Sequence, residues 1–322
     1  MPLFTSTSEL QPYADVLEGF DFTPFLGALN TADRMYIYPA VSRVFYIHLK
    51  DRATANTLTA KEKIVYELVR EAEAKLAFWK WIPKGMVKIS SSGIHIVTSE
   101  NSKAAFQWMT DELARSWIEE GFSALEEALA FMANNLTDFP TYKNSDEYQL
   151  NHSGFVNTAT EMAEHFTVAM PRVTFLQTSA IRRRLERDLI RPVLGEALAT
   201  EIVTQIKAGN LSAGNKAIIH FIRGAVVNHT FNRAMLELSV TIDDRGISVF
   251  RNKESETTNV RIPADDNRLR QLQKETELAG DGYIAKLRKH LNTNSSQYPL
   301  YTKTETPREL ENKQDSGIYH AL

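Results

Sequence analysis

Two stretches of the chain share one alternating pattern of apolar and polar residues. Residues 87–97 read "VKISSSGIHIV" and residues 240–250 read "VTIDDRGISVF". Alternation on both sides of a polar, glycine-containing centre predicts a β-hairpin in each stretch. Gly93 and Gly246 occupy the same place in the two hairpins, 153 positions apart.

The segments before the hairpins predict two matching helices. Residues 61–80 and 214–233 carry apolar residues at the i, i+3, i+4, i+7 spacing of an amphipathic helix. The aligned apolar pairs are Val65/Ile218, Leu68/Phe221, Val69/Ile222 and Ala72/Ala225. Thr59 and Ser212 precede the helices in the N-cap position, and "TAKE" has the spacing of a capping box.

The common register extends well beyond the hairpins. Without gaps, Pro39 falls on Pro192, and with small gaps "FLGALN" falls on "FLQTSA" and "EGFSAL…LTDFP" on "DGYIAK…SSQYP". We infer that a unit of about 150 residues occurs twice in tandem.

These patterns predict a mainly α protein with small β-hairpins, an α+β fold made of two duplicated helical units. We expect an N-terminal arm at 1–20, a first unit at 21–145 with its hairpin at 87–97, and a second unit at 146–300 with its hairpin at 240–250. The last residues, 301–322, read as a polar tail ending in "IYHAL", either a plain tail or a docking peptide.

Composition narrows the class of protein. The 322 residues are 43% hydrophobic and 24% charged, with a net charge of -3 and no cysteine. These values are typical of a soluble globular protein and exclude disulfides and thiolate metal sites. No apolar run approaches a membrane span and no signal peptide is evident, so we expect a soluble protein made in the cytoplasm, without membrane contact.

Three motifs could carry chemistry, and each has an ordinary structural interpretation that we favour. "GNLSAGNKA" at 209–217 has the glycines of a phosphate loop but follows a helix, which favours a helix-to-helix loop. "TATEMAEHF" places Glu161, Glu164 and His165 within about one turn, but a metal site needs further ligands, and a solvated helix face is favoured. "FWKWIPKGM" at 78–86 could stack bases, but a core wedge is the simpler explanation. We therefore expect no catalytic residues, no cofactor and no bound metal, and predict that the protein is not an enzyme.

The densest basic stretch is "IRRRLERDLIRP" at 181–192. Arg183, Arg184, Arg187 and Arg191 would cluster on one side of a helix, where guanidinium groups bind phosphate or carboxylate equally well. The interspersed Glu186 and Asp188 favour salt bridges and protein–protein contact over contact with the DNA backbone. DNA binding stays open as the alternative.

Several longer stretches resemble a known group of proteins. They are "AFWKWIPKGMVKISSSGIHIV", "AAFQWMTDELARSWIEEGFSALEEALAF", "FVNTATEMAEHF" and "PRVTFLQTSAIRRRLERDLIRPVLGEAL". Their order is similar to that in an uncharacterised family from phages and prophages of Bacteroidetes-type bacteria, over roughly residues 35–250. The chain departs from that pattern at "MPRVTFL", where an arginine pair is common.

The resemblance implies a virion structural protein of the head-to-tail connector (adaptor) class. Such a protein forms a homo-oligomeric ring of about twelve copies between portal and tail. It would contact the portal protein, the tail proteins and itself, with non-specific contact to packaged DNA, in the neck of a virion assembled in the bacterial cytoplasm. The alternatives are another assembly or tail-completion protein, or a DNA-binding packaging factor.

If the protein is a connector, its subunit or partner contacts should involve the hairpin edges, the basic stretch and the tail tip. The expected contact residues are Ile89, Gly93, Ile94, Ile242, Gly246, Ile247, Arg183, Arg184, Arg187, Arg191, Ile318, Tyr319 and Leu322.

Overall fold

The structure is a computed structural model, and its described part is about 80% helical. It describes residues 2–14, 19–85, 87–90, 93–96, 106–168, 170–238, 240–243, 246–249 and 266–302. Within these ranges, the side chains of the strands, Gln107 and Asp266 are outside the description.

The first unit contains eight α-helices among its described residues. They are α1 (Thr7–Leu10), α2 (Phe22–Ala32), α3 (Tyr38–Val41), α4 (Arg43–Thr54), α5 (Ala60–Gly85), α6 (Gln107–Asn134), α7 (Pro140–Lys143) and α8 (Asp146–Asn151). A π-helical turn (Asp33–Ile37) joins α2 to α3, and a 3-10 turn (Leu136–Asp138) follows α6. Strands β1 (Val87–Ser90) and β2 (Gly93–Ile96) lie between α5 and α6.

The second unit repeats this order of elements. Its helices are α9 (Ala159–Ala163), α10 (Pro171–Gln177), α11 (Ser179–Leu185), α12 (Arg191–Leu194), α13 (Glu196–Ala208), α14 (Ala213–Glu237) and α15 (Asp266–Thr293). A π-helical turn (Glu186–Ile190) precedes α12, strands β3 (Val240–Asp243) and β4 (Gly246–Val249) follow α14, and a 3-10 turn (Ser295–Gln297) follows α15.

The two units keep one register almost throughout. Three features lie 153 residues later in unit two than in unit one. They are the π-helical turn, the start of the long helix (α5 or α14) and both strands of the ribbon. After the hairpins the offset is 159, because six more residues separate β4 from α15 than separate β2 from α6. A duplication explains a constant offset through so unusual an element as a π-helical turn.

The predicted helix caps and apolar stripes are present. The Thr59 hydroxyl accepts the Glu62 amide while the Glu62 carboxylate accepts the Thr59 amide, and Ser212 caps α14 through the Asn215 amide. The stripe residues Val65 and Ile218 are fully buried, as are their partners one and two turns later. Burial of these matching faces holds each long helix pair together.

Glycines set the close approach of the long helices. A Cβ added at Gly121 in α6 would lie 2.9 Å from Leu76 in α5, and one added at Gly280 in α15 would lie 2.5 Å from His229 in α14. Leu76 and His229 are equivalent positions, so Gly121 aligns with Gly280. The predicted match of "EGFSAL" to "DGYIAK" is therefore two residues out of register.

The N-terminal residues belong to the first core. Leu3, Phe4 and Leu10, which we expected in an arm, are buried against the helices of unit one. Phe155 and Met162 enter the second core in the same way, and the sequences "LFTSTSEL" and "FVNTATEM" correspond at an offset of 152. The repeat thus includes the first described residues of the chain.

Polar contacts tie the two units together. The Tyr148 hydroxyl in α8 donates to the Lys207 carbonyl in α13 at 3.2 Å, and Arg172 in α10 donates to Glu126 in α6 at 2.9 Å. Val173 also packs against the core of unit one. The junction is therefore a packed contact between α6 and the first helices of unit two.

The fold class is all-α, and the expected α+β class is wrong. The described cores contain no strand or sheet, because helices and their connecting turns supply their side chains. β1 pairs only with β2, and β3 only with β4, as antiparallel two-stranded ribbons. Such a ribbon forms no layer of a fold, so the hairpin pattern did not determine the class.

Candidate interaction surfaces

Helix α6 begins with a group of exposed apolar side chains beside the first ribbon. Phe106, Trp108, Met109 and Leu113 are 68, 55, 42 and 45% exposed. We call these four residues the α6 apolar surface. Aromatic and methionine side chains are enriched in the centres of protein interfaces and rarely gather on a free surface.

The α6 apolar surface continues into an aromatic groove. Leu113 and Trp117 of α6 face Trp81 of α5 and Phe20 across a groove of about 690 Å³. Trp81 stacks edge-on against Phe20 and Phe25, which anchors the groove wall on the core. This placement agrees with the core-wedge interpretation of "FWKWIPKGM", and it leaves one aromatic edge accessible.

The second unit exposes apolar residues at the same end of its helices. Leu236 and Leu238, at the end of α14, are 51 and 50% exposed, and Leu272 near the start of α15 is 38% exposed. Leu272 is the equivalent of Leu113 at the offset of 159. Both helix pairs therefore carry exposed leucines next to their ribbons.

Most of the predicted contact residues lie outside the described side chains. Only the backbone is described for Ile89, Gly93, Ile94, Ile242, Gly246 and Ile247, which all fall in the ribbons, and Ile318, Tyr319 and Leu322 lie outside the described residues. The structure does not test the contacts predicted for these nine residues.

The four predicted arginines are on the surface, whereas the neighbouring Arg182 is buried. Arg182 donates to the Phe175 carbonyl at 3.1 Å and lies 3.7 Å from the centre of the Phe175 ring. It fixes α10 against α11 and is unavailable to a partner.

Three of the four predicted arginines bind carboxylates of the chain itself, and of these three Arg191 is half-buried. Arg184 pairs with Glu237 at 2.6 Å, Arg187 with Asp188 at 2.7 Å, and Arg191 with Glu196. Arg183 is exposed on the same stretch. These pairs favour the salt-bridge interpretation of this stretch over a surface built for the DNA backbone.

A buried polar cluster lies at the centre of unit one. The Tyr46 hydroxyl is 3.1 Å from Asp33 and 3.0 Å from Glu73, and the Leu3 amide donates to both Glu73 oxygens. Burial raises the pKa of Asp33 to about 6 and that of Glu73 well above its usual value. One hydroxyl proton cannot serve two carboxylates, so the cluster favours a protonated carboxyl group.

The corresponding cluster of unit two has different chemistry. The Glu186 carboxylate, equivalent to Asp33, accepts the backbone amides of Phe155 and Val156 at 3.0 Å each. Glu161 closes a capping box on α9 and pairs with Arg223. Glu161 is thus neither a metal ligand nor part of a solvated face, since a cap and an ion pair occupy its carboxylate.

The other motif positions are structural as well. Gly209 ends α13 in the left-handed conformation, with φ of 73°, and Ser212 caps α14, so "GNLSAGNKA" is a helix-to-helix connection. Among the described residues, no group of three His, Cys, Asp or Glu side chains is placed to hold a metal ion. Within the same part of the chain, no helix is long and apolar enough to span a membrane.

Fold and surface together define an all-α protein built from two tandem copies of one unit, each with a long helix pair. The chain belongs to a family of unknown function, DUF6712, which matches residues 37–152 and 190–310. The two matched segments begin 153 residues apart, which confirms the predicted duplication. No curated protein and no solved structure matches the chain.

One feature of the surface was missed in the sequence. The α6 apolar surface falls in "FQWMTDEL", where Phe106, Met109 and Leu113 follow helical spacing and read as core. The corresponding stretch of unit two, "DNRLRQL", is largely polar. That difference between two copies of one unit was the available signal, because a core position should stay apolar in both.

Proposed function

We propose that the protein is a structural subunit of a phage head-to-tail connector that assembles with copies of itself into a ring. The order of sequence motifs, which resembles that of virion structural proteins, supports this role. The α6 apolar surface carries the proposal, because a subunit that bonds to its neighbours needs accessible apolar residues.

The position of this surface suits a contact between subunits. Helices α5 and α6 have 26 and 28 residues, so the pair is about 40 Å long. The α6 apolar surface and the first ribbon lie together at one end of this pair. A ribbon edge offers unpaired backbone groups, and the apolar residues beside it supply area to bury.

Charge distribution supports contacts between unlike faces. Residues 1–152 contain 14 Lys and Arg and 20 Asp and Glu, whereas residues 153–322 contain 23 and 20. The halves therefore carry net charges of -6 and +3. A ring requires one face of a subunit to meet a different face of the next, and opposite charges on the halves favour that arrangement.

The oligomeric state of the purified full chain tests the proposal. We expect light scattering after size exclusion, and native mass spectrometry, to give one large homo-oligomer, and negative-stain images to show annular particles. Trp108→Glu with Leu113→Glu should convert the oligomer to monomers, because each change places a charge in an apolar contact. Circular dichroism should show the same helical content for variant and parent.

Val44→Glu is the matched control, since Val44 is 61% exposed on α4, away from the α6 apolar surface. It should leave the oligomer intact. A parent chain that stays monomeric at tens of micromolar, or an oligomer that survives the double substitution, would show that the α6 apolar surface does not build an assembly.

A further inference from the structure

A cavity of about 310 Å³ lies at the junction of the two units. Helix α6 of unit one forms one wall, and α9 with the start of α10 forms the other. Apolar side chains supply most of the lining: Ile118, Phe122, Ala159, Ala163, Met170 and Val173. This junction occurs once among the described residues.

One buried charged side chain lines the same cavity. Arg172 is 8% exposed, and its only hydrogen bond among the described residues runs from Nη1 to Glu126 at 2.9 Å. The Arg172 Nε group is buried and has no acceptor within the described part of the chain. The Nη2 group has no hydrogen bond among the described residues either, so the guanidinium keeps an unused donor for a ligand acceptor.

The geometry of a guanidinium group identifies the ligand chemistry. Its N–H donors form a planar fork, and the Nε edge matches the two oxygens of a carboxylate. Glu126 occupies Nη1 and leaves that edge unused. The Ala159 backbone amide and Arg172 both favour the charged form of Glu126, against the burial that raises its pKa, so the Glu126 charge is shared with α9 as well as Arg172.

We propose that this cavity binds a small organic carboxylate with a short aliphatic or aromatic body. The ligand carboxylate accepts hydrogen bonds from the Arg172 guanidinium, and the body packs against Ile118, Phe122 and Met170. A cavity of this size is at the lower end of the range for small-molecule sites, which limits the body to about six to eight carbons. The proposal is independent of ring assembly.

Charge on the rim limits the affinity. Glu119 also lines the cavity and is exposed, so it repels an anion without blocking the site. Glu126 also neutralises part of the charge of Arg172. Both effects weaken binding, so we expect dissociation constants near the millimolar range, typical of a small ligand held by one ionic contact.

Hexanoate and phenylacetate are suitable probes, titrated into the full chain with methyl-labelled methionine and followed by NMR. The Met170 methyl signal, assigned with Met170→Leu, should shift in a saturable way, while the Met109 signal should stay unchanged. Hexanol and benzyl alcohol, which lack the carboxylate, should bind at least about tenfold more weakly, since a hydrogen bond to a charged group is lost.

Two variants separate the ionic contact from the shape of the cavity. Arg172→Met should weaken hexanoate binding about tenfold or more, and Ala163→Phe, which fills the cavity and leaves the ion pair, should abolish it. Arg184→Met is the control for charge, because Arg184 is an exposed arginine with a carboxylate partner. If Arg172→Met unfolds the chain, Arg172→Met with Glu126→Gln removes both buried charges and gives the same test.

The proposal fails if no Met170 shift saturates at accessible probe concentrations. It also fails if the alcohols bind as well as the acids, or if Ala163→Phe leaves binding unchanged. None of these results bears on the oligomeric state, so the cavity and the ring are tested separately.

Discussion

Ser42 and Gly195 occupy equivalent positions in the two units and share one rare backbone conformation. Their φ/ψ values are 73°/137° and 78°/148°, and each residue joins the short helix after a π-helical turn to the next long helix. The same backbone conformation is present in both units, although only unit two has a glycine at this position. This conformation costs a non-glycine residue about 1–3 kcal/mol.

Substitutions at these two positions should act in opposite directions. Gly195→Ala should lower the free energy of unfolding by about 1–3 kcal/mol, and the cost is conformational because an added Cβ would meet no atom within 4 Å. Ser42→Gly should raise it by about 1 kcal/mol, since relief of strain exceeds the few tenths lost when the Ser42 cap on Val44 goes. Urea unfolding measures both, and an equal sign for the two would contradict this account.

The buried carboxyl cluster of unit one should make stability depend on pH. Burial raises the pKa of Asp33 to about 6 and raises the pKa of Glu73 well above its usual value. The folded state therefore holds protons that the unfolded state releases from about pH 4. Stability from this cluster is greatest below that pH and is lost as pH rises through 6 and beyond.

Glu73→Gln should remove most of this dependence while preserving the shape of the side chain. The parent should lose stability between pH 4 and 8, whereas the variant should not. The free energy of unfolding of the variant relative to the parent should therefore rise by on the order of 1–3 kcal/mol over this pH range. Urea titrations at several pH values measure it. Glu127→Gln, at an exposed position of α6, is the control and should give a difference that is flat with pH.

One arginine position is used differently in the two units. Arg223 donates to the Phe155 carbonyl at 3.0 Å and pairs with the buried Glu161, whereas its equivalent Arg70 lies 4.7 Å from the centre of the Phe4 ring. Arg223→Met should therefore cost about 3–5 kcal/mol, because it leaves Glu161 buried without its cation. Arg70→Met should cost about 1–2 kcal/mol, the size of a partly desolvated cation–π contact.

Denaturant unfolding of both variants tests this ranking. Arg223→Met combined with Glu161→Met should cost less than the sum of the single changes, since the double variant leaves no buried charge. An equal cost for the two arginine substitutions would mean that the ion pair contributes no more than the ring contact.

The sequence was sufficient to predict the duplication, the capped helices and their buried stripes. Each of these features depends on a local residue pattern that occurs in both units. The fold class could not, because alternation in four-residue strands such as Val87–Ser90 predicts a hairpin but not whether a sheet joins the core. The place of Leu3 and Leu10 in the core was missed, since the four-residue helix Thr7–Leu10 and the irregular segment before it are too short to show a periodicity.

The candidate surfaces were predictable only in part. Of the acids interspersed in the arginine stretch, only Asp188 forms a salt bridge, with Arg187. Arg184 and Arg191 pair with Glu237 and Glu196 outside the stretch, and Glu186 accepts backbone amides. The cavity beside Arg172 depends on a contact between α6 and α10, which are separated by tens of residues in the chain. No local sequence pattern predicts a contact between two such distant helices. The residues of "MPRVTFL" also do not indicate that Arg172 is buried.

The crossing of α5 and α6 supplies a final prediction. Gly121→Ala should destabilise the chain by about 1–2 kcal/mol, because overpacking against Leu76 exceeds the gain of about 1 kcal/mol in helix propensity. Gly27→Ala is the matched control in α2: an added Cβ there meets no atom within 4 Å, so the same substitution should stabilise by up to about 1 kcal/mol.

A double-variant cycle assigns the cost to one contact. Leu76→Ala alone creates a cavity in the core, but in its presence Gly121→Ala should cost much less, because the two Leu76 atoms that the new methyl group meets are gone and the Lys75 Cβ, at 3.1 Å, is the close contact that remains. Unfolding free energies of the four proteins give the coupling, which we expect to be about 1–2 kcal/mol. A coupling near zero would place the cost of Gly121→Ala elsewhere than in the approach of α5 to α6.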